Sequence, residues 1–188
     1  MDTVKHAKLG CARRFPGRGR GEGEAVISEK PTIGWREWIA IPALGLPAIK
    51  AKVDTGARTS ALHAYYVTPF RRNGCDHVRF GIHPLQRRAD VEVTCEAPVI
   101  DRRWVADSGG HRELRYVIEA PIRMGEHEWP IEITLTSRDT MMFRMLLGRS
   151  AIKGRMIVDP QRSYTAGKLS RRAYGARRRK AHKKGTTR

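Results

Sequence analysis

An Asp-Thr-Gly triplet closes an alternating apolar run in the stretch Ala51-Lys-Val-Asp-Thr-Gly-Ala-Arg-Thr-Ser-Ala-Leu-His63. Ile49, Ala51 and Val53 fall on one face of an extended strand, and Asp54 follows at its end. A carboxylate placed there must be held by its neighbours. Gly56 lets the backbone approach the carboxylate, and its amide can donate to it. An ordinary turn is the plain alternative, because the triplet also occurs in turns. The sharper reading is catalytic. Paired carboxylates that share one proton hydrolyse a peptide bond, one as base on a water and the other as acid toward the carbonyl oxygen. Only one Asp-Thr-Gly is present, so the second carboxylate must come from elsewhere.

The rest of the central region reads as short strands. Ile33–Ile41 and Ala48–Val53 flank Pro42 and Leu44-Gly-Leu-Pro47, which predicts a hairpin. Further strands are expected at His77–Ile82, Asp90–Glu96, Arg112–Met124 and His127–Thr136. The last two are joined by Gly125-Glu126. Pro121 and Pro130 point to edge positions or bulges. Met145-Leu-Leu-Gly148 is a short apolar run, Ser150–Lys153 begins a helix, and Arg155–Asp159 is a final strand. Many short strands with turn signals predict an all-β fold.

Charge divides the chain into three parts. The net charge is +18, and eleven Lys and Arg with no acidic residue fall between Gln161 and Arg188. Residues 32–167 are therefore expected to form one domain. Residues 1–31, rich in Gly and Arg, and residues 168–188 are expected to be disordered tails. The basic tail is suited to polyanions, and RNA or the ribosome is its expected partner. The three cysteines, Cys11, Cys75 and Cys95, lack paired spacing and argue against a disulfide framework. No apolar leader or membrane-length run is present, so the expected location is cytoplasmic, with no membrane contact.

The residues after the triplet narrow the reading. Met145-Leu-Leu-Gly-Arg149 lies about ninety residues downstream. Asp-Thr-Gly followed by such an element resembles the retropepsin-like aspartic proteases, in which it packs beneath the catalytic loop. The chain is most similar to the bacterial RimK-associated branch often labelled ATP-dependent zinc protease. The matching stretches are Lys52–Ala64, Trp129–Thr136, Phe143–Ala151 and Ile157–Pro160.

The resemblance implies a closed retropepsin-like β-barrel with one short helix, and an aspartic endopeptidase. Asp54 would be catalytic, with Thr55, Gly56 and Ala57 shaping its loop. A two-fold homodimer would supply the second Asp54; Asp139 and Asp159 sit in no comparable loop. The family has been linked to an enzyme that adds glutamates to a ribosomal protein, which implies a peptide substrate with acidic or glutamylated tails. Lys52, Arg58 and Arg149 are then candidates for binding it. A flap is expected in Arg71–Arg88 or at Asp107-Ser-Gly-Gly110. A non-catalytic peptide-binding or RNA-associated adaptor on the same fold is the alternative.

The family label is wider than the residues. No His-Glu-x-x-His is present, and the histidines lack ligand spacing. No phosphate-binding Gly-x-x-x-x-Gly-Lys-Ser/Thr loop is present either. The expectation is an enzyme without metal or other cofactor. Ser60 lacks a nucleophile elbow and is read as a packing or capping residue. Trp35, Trp38, Trp104 and Trp129 are read as core or interface residues.

Overall fold

The strand that ends in Asp54 lies inside the sheet around which the chain is organised. A computed structural model describes residues 30–86, 88–106, 110–137, 142–170, 172 and 174. The elements in chain order are β1 (Thr32–Gly34), β2 (Arg36–Ile41), β3 (Leu46–Asp54), β4 (Ser60–His63), β5 (Tyr66–Arg72) and β6 (Cys75–Ile82). They continue with β7 (Val93–Pro98), β8 (Asp101–Ala106), β9 (Arg112–Met124), β10 (His127–Thr136), β11 (Met145–Gly148), α1 (Arg149–Ile152) and β12 (Ile157–Asp159). The segment 1–29 and most of 168–188, expected to be disordered, lie outside the described residues.

Seven strands form one mixed sheet in the order β10-β4-β11-β3-β2-β9-β8. Because β10 also pairs with β9, the sheet returns on itself as a ring. The expected all-β fold with one short helix is present as this closing mixed sheet. The strands β5, β6 and β7 make a separate antiparallel sheet, and β1 pairs in parallel with β12. Strand β9 belongs to the ring through its second half only. Residues 117–124 pair with β10, whereas 112–117 pair with β8. Its first half and β8 therefore form a two-stranded ribbon. Pro121 and Pro130 face each other in the β9–β10 ladder, and neither position has a second strand beside it. The missing amide protons therefore cost no ladder bond.

Alternation explains the core. Ile39, Ile41, Leu46, Ile49, Leu62, Ile118, Ile122, Ile133 and Met145 are fully buried inside the ring. Phe80 and Ile82 of β6 join the same cluster, so the separate sheet packs one face on it. Cys95 is buried there, and its Sγ donates to the Leu44 carbonyl at 3.2 Å. Cys75 is half-buried and disulfide-bonded, which the odd cysteine count did not suggest. A single bond does not make a framework, and an odd count only leaves one thiol over.

The run Ile33–Ile41 breaks into two strands at Trp35. Gly34 sets the break: a Cβ there would lie 2.4 Å from the Arg162 carbonyl oxygen. Glu37 holds the crossing. Its carboxylate is fully buried and accepts from Gly34 N at 2.7 Å, Thr165 N at 2.9 Å, Thr165 Oγ1 at 2.7 Å and Ala166 N at 3.2 Å. A buried charge with four donors is stabilising only while all are in place. A second cluster of Trp38, Ala48, Leu85 and Tyr174 covers one end of the outer face of β2 and β3. Packing thus continues past Gly167 to Tyr174. Glu37→Ala strands the buried Gly34 amide and frees the Thr165–Ala166 crossing, and should destabilise the domain by about 3 kcal/mol, read as a lower urea midpoint with an unchanged slope.

Candidate active site

The loop 54–60 is held from below. Strand β11 runs between β3 and β4, parallel to the first and antiparallel to the second, and Gly148 is in register with Asp54. A Cβ on Gly148 would lie 2.5 Å from the Thr59 carbonyl carbon, so only glycine fits. The Gly148 amide donates to Ser60 Oγ at 3.1 Å, and Thr134 Oγ1 donates to the Ser60 carbonyl at 3.0 Å. Arg149 N donates to Ala57 O at 2.8 Å and Ser150 N to Arg58 O at 3.0 Å. The loop is therefore stitched along its length to the Leu-Leu-Gly-Arg segment.

Within the loop, Asp54 Oδ1 accepts from Gly56 N at 3.0 Å and Ala57 N at 3.1 Å. Two backbone donors fix the plane of the carboxylate. Among the described residues, Oδ2 has no partner. Asp54 is half-buried, while Thr55 and Gly56 are exposed. A Cβ on Gly56 would approach Asp54 Oδ1 to 3.2 Å, crowding the held oxygen.

Asp54 opens on a cleft of about 930 Å³. Gly56, Ala57, Arg58 and Thr59 line one side; Glu132, Thr134 and Thr136 of β10 form another. The ribbon supplies Arg103, Trp104, Val105, Ala106 and Arg115. Arg103 and Arg115 are directly opposed across the ribbon. Both are already paired. Arg103 forms a two-pronged bond to Glu132 and donates Nε to Asp101 at 2.6 Å. The Glu132 bond, with Asp101 adding to it, raises the Arg103 pKa above its ordinary value despite partial burial. Arg115 donates Nε to Glu113 at 2.8 Å, and Thr136 Oγ1 donates to the same carboxylate oxygen at 3.3 Å. Arg58 is exposed, and no described carboxylate pairs with it.

The structure brings together Asp54, Gly56, Ala57 and Arg58 of the expected residues. It does not bring Lys52 or Arg149 into the cleft lining. Lys52 lies exposed on β3 opposite Arg36, and Arg149 Nη1 donates to Thr55 O at 3.2 Å. No described residue of Arg71–Arg88 lines the cleft, whereas the ribbon leading into Asp107-Ser-Gly-Gly110 borders it. Residues 107–109 lie outside the described residues, as does Asp139. Asp159 sits in β12 and does not line the cleft. Strand β8 was not read from the sequence, so Arg103, Trp104, Arg115 and Glu132 were missed. The available signal was Gly109-Gly110 between two six-residue runs. Trp104 is 66% exposed, unlike the buried Trp38 and Trp129.

Among the described residues, no three His, Cys, Asp or Glu side chains gather to hold an ion. His63 is buried in β4, and one ring nitrogen of His77 and of His83 faces a backbone carbonyl at 3.1 and 3.3 Å. Among the described residues, no helix is long and apolar enough to cross a membrane.

Comparison with known proteins follows the same residues. The RimB-like family, described as retropepsin-like aspartic endopeptidase RimB, matches residues 32–169. Proteins named probable alpha-L-glutamate ligase are similar. That of Parasynechococcus marenigrum is 48% identical over 76% of this chain, and that of Shewanella halifaxensis 49% over 76%. The Desulfotalea psychrophila protein is 45% identical over 85% of the chain. The match covers only 31% to 33% of each relative, so a domain like this one is part of a longer chain there. A crystal structure of a Legionella pneumophila protein of unknown function superposes with a TM-score of 0.60. It is 26% identical, over 72% of this chain and 98% of that one.

Ser60→Ala removes the acceptor of the buried Gly148 amide. It should cost about 1–3 kcal/mol in denaturant unfolding.

Proposed function

From the premise that the chain belongs to the RimB-like family of retropepsin-like aspartic endopeptidases, we propose that it hydrolyses peptide bonds with a water activated by two Asp54 carboxylates, one from each chain of a two-fold homodimer. The carrying observation is the Asp54 carboxylate itself. Two backbone amides hold one oxygen, the other is unpartnered among the described residues, and the group opens on a cleft. One chain offers one such group, and a two-fold axis at the exposed Thr55-Gly56 step would duplicate it.

In this reading the two carboxylates hold one proton between them. The ionised member takes a proton from water, and the other protonates the carbonyl oxygen of the scissile bond. The resulting gem-diol collapses as the amine leaves with a proton. Thr55 and Ala57 shape the loop, and Arg149 holds the Thr55 carbonyl. The ribbon is the flap, bordering the cleft beside the loop.

The substrate class we propose is an acidic, glutamylated peptide. Relatives named as glutamate ligases contain a domain like this one, which supports a substrate bearing added glutamates. Of the arginines that line the cleft, Arg103 and Arg115 are occupied by their own carboxylates, whereas Arg58 is open to a substrate carboxylate. Lys52 and Arg149 lie one step further out.

Purified protein and Asp54→Asn, each with its oligomeric state measured, test the catalyst. The parent should cleave a glutamylated peptide as a dimer, and Asp54→Asn should dimerise without cleaving. Cleavage that survives Asp54→Asn would remove Asp54 as catalyst and leave the binding-module reading. Arg58→Gln should lower kcat/KM on the glutamylated peptide about tenfold while sparing a peptide with Gln in place of Glu. Equal losses on both peptides would contradict a carboxylate contact at Arg58.

A further inference from the structure

Charge on the outer face of the sheet is unbalanced. Strands β3, β4 and β11 contain one carboxylate between them, Asp54 itself. Ile49, Ala51 and Val53 of β3 and Met145 and Leu147 of β11 belong to the core. Alternation then turns Lys50, Lys52 and Leu146 outward, and Arg144, one residue before β11, falls on the side of Leu146. Leu146, Ala61 and Thr136 line the cleft. The outward face is therefore the floor of the cleft carried further along the strands, away from Asp54.

Arg144 is fixed in this floor. Its carbonyl accepts from His63 N at 2.9 Å, and His63 is in register with the cleft residue Thr136. The preceding Phe143 is buried and edge-on to Trp35 at 5.9 Å. The Arg144 Nε is buried and has no hydrogen-bond partner among the described residues, while the residue as a whole is only half-buried. A buried guanidinium donor left without an acceptor is costly, and a bound anion would satisfy it. The protein's own carboxylates do not. No described carboxylate pairs with Arg144 or Lys52, Glu132 is held by Arg103, and Glu37 is buried and taken by four donors. Lys50 is turned over the Trp38 and Tyr164 rings, whereas Lys52 is exposed in register with Leu146.

We propose that Arg144, with Lys52 beside it, is a second carboxylate subsite, which holds an acidic side chain of a bound peptide away from the bond at Asp54. Gly148 is level with Asp54, and Arg144 lies four residues back along the strand, about 13 Å at about 3.3 Å per residue. An extended peptide covers that distance in about four residues, so the carboxylate held is about four positions from the residue at Asp54. The planar fork of Arg144 can take both carboxylate oxygens, and Lys52 adds a point charge. A glutamylated chain offers such a carboxylate at every step, whereas a lone glutamate at the cleaved bond does not reach. The subsite's part in cleavage rests on the peptidase reading above; its binding of a carboxylate needs no chemistry at Asp54.

The test is fluorescence anisotropy of labelled oligo-glutamate peptides with the full chain in the Asp54→Asn background, where turnover is not required. Arg144→Gln should weaken binding of an eight-residue peptide about tenfold and of a three-residue peptide less than about twofold. Arg144→Lys keeps the charge without the fork and should recover only part of the affinity. Lys153→Gln, which removes an exposed charge elsewhere, should leave both peptides unaffected. Arg144→Met replaces the unsatisfied donor with an apolar chain, so the urea midpoint should stay level or rise. A lowered midpoint would make Arg144 a structural residue and overturn the subsite. So would parent-like binding of the long peptide by Arg144→Gln, an equal loss on both lengths, or a single-stranded RNA oligonucleotide that competes as well as the long peptide. Cleavage separates the two readings. A parent protein that binds the long peptide through Arg144 and never cleaves it would sink the peptidase reading alone. Unaltered cleavage of the long peptide by Arg144→Gln would sink the subsite alone.

Discussion

The passage of β11 between β3 and β4 is the contact on which the site depends. It places Gly148 level with Asp54 and so close to the Thr59 backbone that no side chain fits. Everything above follows from that approach. The Ser60 hydroxyl can reach the Gly148 amide, the Arg149 and Ser150 amides can reach the loop carbonyls, and the Asp54 carboxylate is left to two amides of its own loop. A carboxylate aimed this way owes its orientation to backbone, which holds a fixed direction better than flexible side chains do.

The cleft is rich in charge but offers little of it. The Arg103–Glu132 pair joins the ribbon to β10, and Arg115 is held within β9 by Glu113, which also accepts from Thr136 of β10. Both act as fasteners of the ribbon, and the partial exposure of the Arg103–Glu132 pair limits what it adds to stability. In the proposed reading, recognition falls to Arg58, which lies within the loop and pairs with no described carboxylate. Glu37 does a comparable job away from the site, tying the chain's crossing segment to the start of β2.

Local signals were readable where they were self-contained. The β9–β10 hairpin was legible to its ends from alternation and Gly125-Glu126, whereas the pairing of the Leu-Leu-Gly element with the Asp-Thr-Gly loop came from the family resemblance and is present in the structure. What was missed depends on register between distant segments. Arg103 looks like any strand arginine until β8 is set against β9 and near β10. The break at Trp35 follows from the crossing of residue 162, which the run Ile33–Ile41 does not announce. Tyr174 sits among basic residues whose composition hides a buried hydroxyl and its partner on β3. Lys52 and Arg149 were grouped with Arg58 by proximity in sequence, and strand alternation and a backbone carbonyl separate them.

The central claim is that each active site is shared by two copies of Asp54. Mixing the parent protein with Asp54→Asn, allowing subunits to exchange, and measuring peptide cleavage at constant total chain tests it directly. If both carboxylates are needed, activity should fall as the square of the parent fraction, to about a quarter in an equal mixture. A linear fall, to about half, would mean that each chain works with its own Asp54 alone and would contradict the shared site.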